Sequence, residues 1–452
     1  MSVKPRKVRE VLSNNILADG FEPIIDLVKS HDSWLVDARD GAEYLDMFSM
    51  YASGAIGYNH PEILAQKDKL AEVSLFKPTL SDIYSTQYAD FMKTFNEIAI
   101  PEYINNAFFV EGGGLAVENA LKTAFDWKIR KNMQKGIGVD EDMKIIHFKQ
   151  AFHGRTGYTL SLTNTSDPRK TMYFPKFDWP RIDNPYLSFP ITDEVIEKVK
   201  VKEDLAISQI KDAIKLNPNK IAGLIIEPIQ GEGGDNHFRC QFFEKLKNLS
   251  EDNEFLLIYD EVQTGIGITG KMWAHQHFTP NLCRCDTTIK KAPIPDIISF
   301  GKKTQVCGML AGNRVLEVEK NVFSESSRIN STFGGSLVDM VRFRIILETI
   351  KKESLLDNAS SKGNYLMEKM RFLESSFPGF VSNSRGSGLF CAFDLPSSTE
   401  RDRVISQAYK NKLLILSSGD YTVRFRPHLT VTKQELDYAI DMIHKSIKEI
   451  LN

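Results

Sequence analysis

Two residues dominate the chemistry this sequence could perform. Lys302 stands in Ser299-Phe-Gly-Lys-Lys303, directly after the apolar run Pro295-Asp-Ile-Ile-Ser-Phe300. Asp260 closes another apolar run, Phe255-Leu-Leu-Ile-Tyr-Asp260, forty-two residues upstream. A lysine at one strand end beside a carboxylate at the next is the pair that pyridoxal 5'-phosphate chemistry needs. The amine forms a Schiff base with the cofactor aldehyde, and the carboxylate keeps the pyridine nitrogen protonated.

Further groups of residues could complete such a site. Glu111-Gly-Gly-Gly114 opens Leu115-Ala-Val-Glu-Asn-Ala-Leu-Lys122. Glycines between a strand and a helix let backbone N–H groups approach an anion, and phosphate is the natural guest; a tight strand-to-helix turn would use them equally well. In Phe152-His-Gly-Arg155 the ring could stack on a planar cofactor and the guanidinium could clamp a carboxylate. Taken singly, Phe152 could be core and Arg155 a surface ion pair. Glu227-Pro-Ile-Gln-Gly-Glu232-Gly-Gly234 and Asp260-Glu-Val-Gln263-Thr-Gly are glycine-dense loops carrying polar groups. Ser331-Thr332 offers hydroxyls for a phosphate, or merely a helix N-cap. Arg424 could bind a substrate carboxylate.

The elements that must position these residues follow from the patterning. Asn106–Val110, Lys144–Phe148, Ile221–Ile226, Phe255–Tyr259 and Ile297–Phe300 read as buried strands, with a helix over Leu115–Met133. Such runs separated by helices imply a largely parallel sheet covered on both faces. Ligands bind at the carboxyl ends of its strands, where Glu111, Glu227, Asp260 and Lys302 fall. Toward the C-terminus the pattern changes. Gly334–Lys351 and Ala359–Leu373 read as helices, Gly386–Leu395 and Thr422–Arg426 as antiparallel-type strands. Thr432-Lys-Gln-Glu435 is a capping box opening a last helix with Leu436, Ile440, Ile443 and Ile447 on its apolar face. We expect an N-terminal segment (1–72) joining a small α+β domain (336–452), around a large cofactor-binding domain (73–335).

Composition excludes several classes. The chain has 452 residues, enough for two or three domains. Lys plus Arg number 57 against 59 Asp plus Glu, which speaks against a nucleic-acid binder. The basic start Lys4-Pro-Arg-Lys-Val-Arg9 lacks a following apolar segment, and no run of 18 apolar residues occurs, so a cytoplasmic location is expected. Five scattered cysteines argue against a disulfide framework. Cys283-Arg-Cys285 has no second pair at zinc-finger spacing, so reduced thiols and no metal site are expected. Residues 277–296 read as a surface excursion.

The order and content of these pieces resemble the class III (ω-amino) aminotransferases of pyridoxal phosphate fold type I, from about residue 20 to 450. Ala-Phe-His-Gly-Arg-Thr-Gly-Tyr-Thr-Leu-Ser-Leu-Thr-Asn-Thr165, Phe174-Pro-Lys-Phe-Asp-Trp-Pro-Arg-Ile182, Glu227-Pro-Ile-Gln-Gly-Glu-Gly-Gly-Asp235 and Phe300-Gly-Lys-Lys-Thr-Gln-Val-Cys-Gly308 are similar to the branch acting on the ε-amine of L-lysine. Ile268, where most of the family has arginine, and Gly113-Gly114, where most have Gly-Ser, are compatible with that branch.

The resemblance implies a seven-stranded, mostly parallel sheet and a homodimer with active sites at the subunit interface. It implies Lys302 as the Schiff-base lysine, with Lys303 a bystander, Asp260 as the ring-nitrogen partner and Gln263 as a contact of the phenolic oxygen and the substrate. Gly113, Gly114, Ser331 and Thr332 would hold the phosphate, the last donated across the dimer, and Phe152 would stack on the ring. Arg155 and Arg424 would bind substrate carboxylates and Glu232 would act as a switch. The implied reaction moves the ε-amino group of L-lysine to 2-oxoglutarate. Ornithine, 4-aminobutyrate and acetylornithine enzymes remain alternatives, as do a racemase, a decarboxylase or a non-catalytic binding protein.

Overall fold

The computed structural model describes residues 2–280, 282 and 289–452. Two short antiparallel strands, β1 (Trp34–Val36) and β2 (Glu43–Asp46), come first. The large sheet comprises β3 (Ile104–Val110), β4 (Lys144–Phe148), β5 (Arg181–Ile182), β6 (Ile221–Ile226), β7 (Leu256–Asp260), β8 (Ile297–Phe300) and β9 (Cys307–Gly312). Its order is β3-β9-β8-β7-β6-β4-β5, and only β9 runs antiparallel to its neighbours. The expected seven-stranded, mostly parallel sheet is therefore present.

Alternation along these strands explains why both faces are covered. Ile145, Ile225, Leu256 and Ile258 point to one face, where Val117, Leu121 and Ala124 of the helix Gly113–Gln134 pack. Ile146, Leu224, Ile226, Leu257 and Tyr259 point to the other, against Phe242, Phe243 and Leu246 of the helix Cys240–Asp252. Successive side chains in a strand face opposite ways, so strands buried on both sides read as near-continuous apolar runs.

The C-terminal part holds an antiparallel sheet of β10 (Ser382–Ser387), β11 (Phe390–Asp394), β13 (Leu416–Ser418) and β14 (Thr422–Phe425), in the order β10-β11-β14-β13. Strand β12 (Leu413–Leu414) instead pairs parallel with β2, tying the start of the chain to its end. The expected single strand over Gly386–Leu395 is corrected: it is a hairpin. Ser387 pairs with Phe390 across the two-residue turn Gly388-Leu389, and Gly388 sits at φ +54. Glycine at the first turn position suits such a tight hairpin, and a Cβ there would lie 2.4 Å from the Thr269 backbone.

The last helix, Lys433–Leu451, opens with the expected capping box: Thr432 accepts from the Glu435 N–H, and Glu435 accepts from the Thr432 N–H. Leu436, Ile440, Ile443 and Ile447 are buried on its inner face. Cys307 and Cys391 are free and buried, but Cys240 is disulfide-bonded, against the expectation from the scattered spacing. Sequence separation does not reveal which thiols a fold brings together. The Cys283–Cys285 pair lies outside the described residues. The ends of the 277–296 excursion pack on the body: Phe278 and Ile289 are buried, and Glu244 accepts from the Lys290 N–H at 2.7 Å. No helix among the described residues is long and apolar enough to cross a membrane.

Candidate active site

Register brings the chemistry together. Asp260 ends β7 opposite Ser299 of β8, and Lys302 follows two residues past the end of β8. Both side chains line a cleft of about 440 Å³ at the carboxyl ends of the parallel strands. Gly113, Gly114, Phe152, Arg155, Glu232 and Gln263 line the same cleft, as do Tyr51, His153, Lys170 and Glu227, which sequence reasoning assigned no role. A roomier depression around Trp179 and Arg181 is more open and lacks this set.

Lys302 is held at φ +55, a left-handed conformation uncommon for a non-glycine residue. Burial lowers its ammonium to about 8, and Arg424 pushes the same way while Glu232 and Asp260 oppose. Lys303 points elsewhere. It is buried, and its Nζ donates to the carbonyls of Gln263 (2.9 Å) and Ala52 (3.2 Å).

Asp260 is fixed from two sides. Its Oδ2 lies 2.7 Å from His153 Nδ1, and its Oδ1 accepts from the Val262 N–H at 3.1 Å. His153 and Asp260 are both buried. Neighbouring Glu227 accepts from the Phe152 N–H and the Gly231 N–H, each at 2.9 Å. Burial pushes its carboxyl up to about 7, and the Asp260 charge adds to that push. The signal for His153 was its adjacency to Phe152 and that for Glu227 its place at a strand end, neither of which reveals their partners.

Gly113 and Gly114 form the first turn of the helix Gly113–Gln134, after Gly112 turns the chain at φ +103. A Cβ on Gly113 would lie 3.1 Å from Val262, and one on Gly154 would lie 2.9 Å from the Gly114 Cα. Backbone therefore approaches backbone where side chains would fill the space. Glu118 from this helix accepts from Thr156 Oγ1 (2.6 Å) and the Tyr158 N–H (2.7 Å), locking the Arg155 loop to it. Arg155 itself is exposed at the rim.

Glu232 sits between two cations. Its Oε2 accepts from Arg424 Nη2 at 2.8 Å and its Oε1 from Lys170 Nζ. Burial would raise its carboxyl, but Arg424 and Lys170 outweigh that and hold it below its ordinary value. Arg424 is buried behind Glu232 on β14. Next to it, Arg426 makes a buried two-point pair with Asp235 (2.8 and 2.7 Å) and donates from Nε to Gln263 Oε1 at 3.0 Å. Tyr51 reaches the rim on a left-handed turn in which Ser49, Met50, Tyr51 and Ala52 all have positive φ. Ser331 and Thr332 do not line this cleft; Thr332 is exposed, and its carbonyl accepts from Ser81 Oγ at 3.4 Å. Ile268 is core.

The donor set fits pyridoxal phosphate. It offers an amine low enough to be partly neutral, a buried oriented carboxylate, a ring to stack against, and a glycine-lined helix start whose space a Cβ would fill. Fold and site define a pyridoxal-phosphate-dependent aminotransferase, and the chain belongs to the aminotransferase class-III family, whose model matches residues 17–447. Among its relatives is the L-lysine-epsilon aminotransferase of Mycobacterium tuberculosis, 46% identical over 98% of this chain and 96% of that protein. The enzyme of the same name from Amycolatopsis lactamdurans is 43% identical over the same shares. The solved lysine aminotransferase from M. tuberculosis superposes with a TM-score of 0.93, covering 99% of this chain and all of that one at 45% identity.

Proposed function

We propose that the enzyme transfers the ε-amino group of L-lysine to 2-oxoglutarate, giving 2-aminoadipate 6-semialdehyde, which cyclises to piperideine-6-carboxylate, and L-glutamate. The observation that carries this reading is Glu232 paired to Arg424 in the cleft that holds Lys302. The named activity of the relatives at 46% and 43% identity supports lysine as amino donor.

Pyridoxal phosphate, when bound, supplies the carbonyl that accepts the amino group and a cationic ring that draws electron density from the reacting carbon. Lys302, whose amine burial lowers to about 8, would be the base at the substrate's reacting carbon and would carry that proton. Asp260, braced by His153, would keep the ring nitrogen protonated. Gln263 would hold the phenolic oxygen, Phe152 the face of the ring, and the Gly113 and Gly114 N–H groups the phosphate. Ser331 and Thr332 would hold that phosphate from the other subunit of a homodimer. We assign residues 73–335 to a large domain and 1–72 with 336–452 to a small one, and place the protein in the cytoplasm.

Two unlike substrates use one site. Arg155 holds the remote carboxylate of either. With lysine bound, Glu232 neutralises Arg424 beside an apolar methylene chain, where an unpaired charge is costly. With 2-oxoglutarate bound, Glu232 moves aside and Arg424 takes the near carboxylate. Incubation with lysine and 2-oxoglutarate, followed by product identification, tests the reading. Cyclised semialdehyde and glutamate are expected; faster turnover of ornithine or 4-aminobutyrate would replace lysine as the donor. In Glu232→Gln, the lysine half-reaction should slow more than the 2-oxoglutarate half-reaction in single-turnover absorbance.

A further inference from the structure

Lys170 belongs to no role assigned above, yet its Nζ contacts the Glu232 carboxylate inside the cleft. It ends the short turn Pro168–Lys170, whose start is capped by the Asp167 side chain. It is partly accessible, with 27% of its side chain exposed against 4% for Arg424, so it can follow a moving partner. Its ammonium also lies 5.9 Å from the centre of the Phe152 ring.

We propose that Lys170 is the second berth of Glu232: a positioning residue that keeps this carboxylate paired when it leaves Arg424 for an incoming dicarboxylate. This rests on the two-substrate reading above and deepens it. Charge arithmetic carries the inference. With a monocarboxylate donor bound, Arg424 and Lys170 share one anion, Glu232. A dicarboxylate brings a second anion to Arg424. Each of the two cations then has one carboxylate, provided Lys170 keeps Glu232. Without Lys170, the displaced Glu232 would stand unpaired, half-buried, beside another carboxylate. Two such like charges disfavour ionisation of both. The two oxygens of Glu232 already divide between the two cations, Oε1 to Lys170 and Oε2 to Arg424. Release from Arg424 therefore leaves the Lys170 contact in place.

The test compares Lys170→Met, Lys170→Arg and Glu232→Gln in the holoenzyme. Each half-reaction is followed separately by single-turnover absorbance, and the binding of two unreactive probes, glutarate and hexanoate, by calorimetry. In Lys170→Met the 2-oxoglutarate half-reaction should fall about tenfold more than the lysine half-reaction. Glutarate should bind about tenfold more weakly, with a smaller change for hexanoate, which has no near carboxylate. Lys170→Arg should recover most of both losses. In a Glu232→Gln background, Lys170→Met should no longer discriminate between the probes. Equal losses for both half-reactions and both probes would make Lys170 a ligand of the remote carboxylate or a structural residue, and would overturn the proposal. So would the absence of any loss. If Glu232→Gln itself fails to discriminate between half-reactions, the two-substrate reading fails instead.

Discussion

Lys302 and Lys303 are consecutive and chemically identical, yet the fold gives them opposite fates. Lys303 satisfies two carbonyls in the core, whereas Lys302 faces the cleft among Asp260, Glu232 and Arg424. Burial lowers the Lys302 ammonium from 10.5 to about 8, so its neutral form grows as pH rises through about 8. In cofactor-free protein, acylation of Lys302 by an amine-reactive reagent should rise with pH to a midpoint near 8, read by peptide mass spectrometry. A midpoint near 10.5 would mean the amine is solvated. Lys302→Ala should lower transamination by at least about 10²–10⁴-fold, the range for losing a positioned acid–base group, and Lys303 should not rescue it.

At the scale of elements, the site depends on close backbone approach between the helix Gly113–Gln134 and the loop before Arg155. Gly154→Ala would place a methyl 2.9 Å from the Gly114 Cα at a backbone φ of +125. Overpacking of this kind costs about 1–3 kcal/mol, so the cofactor dissociation constant should rise on the order of tenfold, measured by fluorescence titration. Elsewhere, Ile443→Ala on the last helix should cost about 2–5 kcal/mol in denaturant unfolding. The strands β4, β6 and β8 were legible to the residue, because doubly buried strands are dominated by apolar residues. Strand β9 was not: Cys307-Gly-Met-Leu-Ala-Gly mixes small residues, and its antiparallel place is set by β3 and β8. The hairpin at Gly388 was hidden because its first strand, Ser382-Asn-Ser-Arg-Gly-Ser387, carries no apolar residue to mark it. In the site, Lys302 and Asp260 announced themselves by type and place at strand ends, and Glu232 followed from the family resemblance. His153, Lys170 and Tyr51 did not, since their roles depend on partners distant in sequence.

At the scale of the molecule, the cleft within one chain gathers the expected groups except Arg424, which is buried behind Glu232, and Ser331 and Thr332. The exposure of Thr332 fits the proposed homodimer. Sedimentation should show a two-chain particle, and Thr332→Val should loosen the cofactor without changing the Lys302 labelling midpoint. A monomer that retains tight cofactor binding would refute that assembly.

The tie between Arg426, just past β14, and Gln263, just past β7, joins the C-terminal sheet to the large one. An amide has two ends of nearly equal size and opposite polarity. Clamping the oxygen leaves Gln263 only its NH₂ to present to a ligand, so the position becomes a one-way donor. A glutamate there would keep the outline and the guanidinium link, yet aim a lone pair where a hydrogen is needed. Shape alone would never distinguish the two.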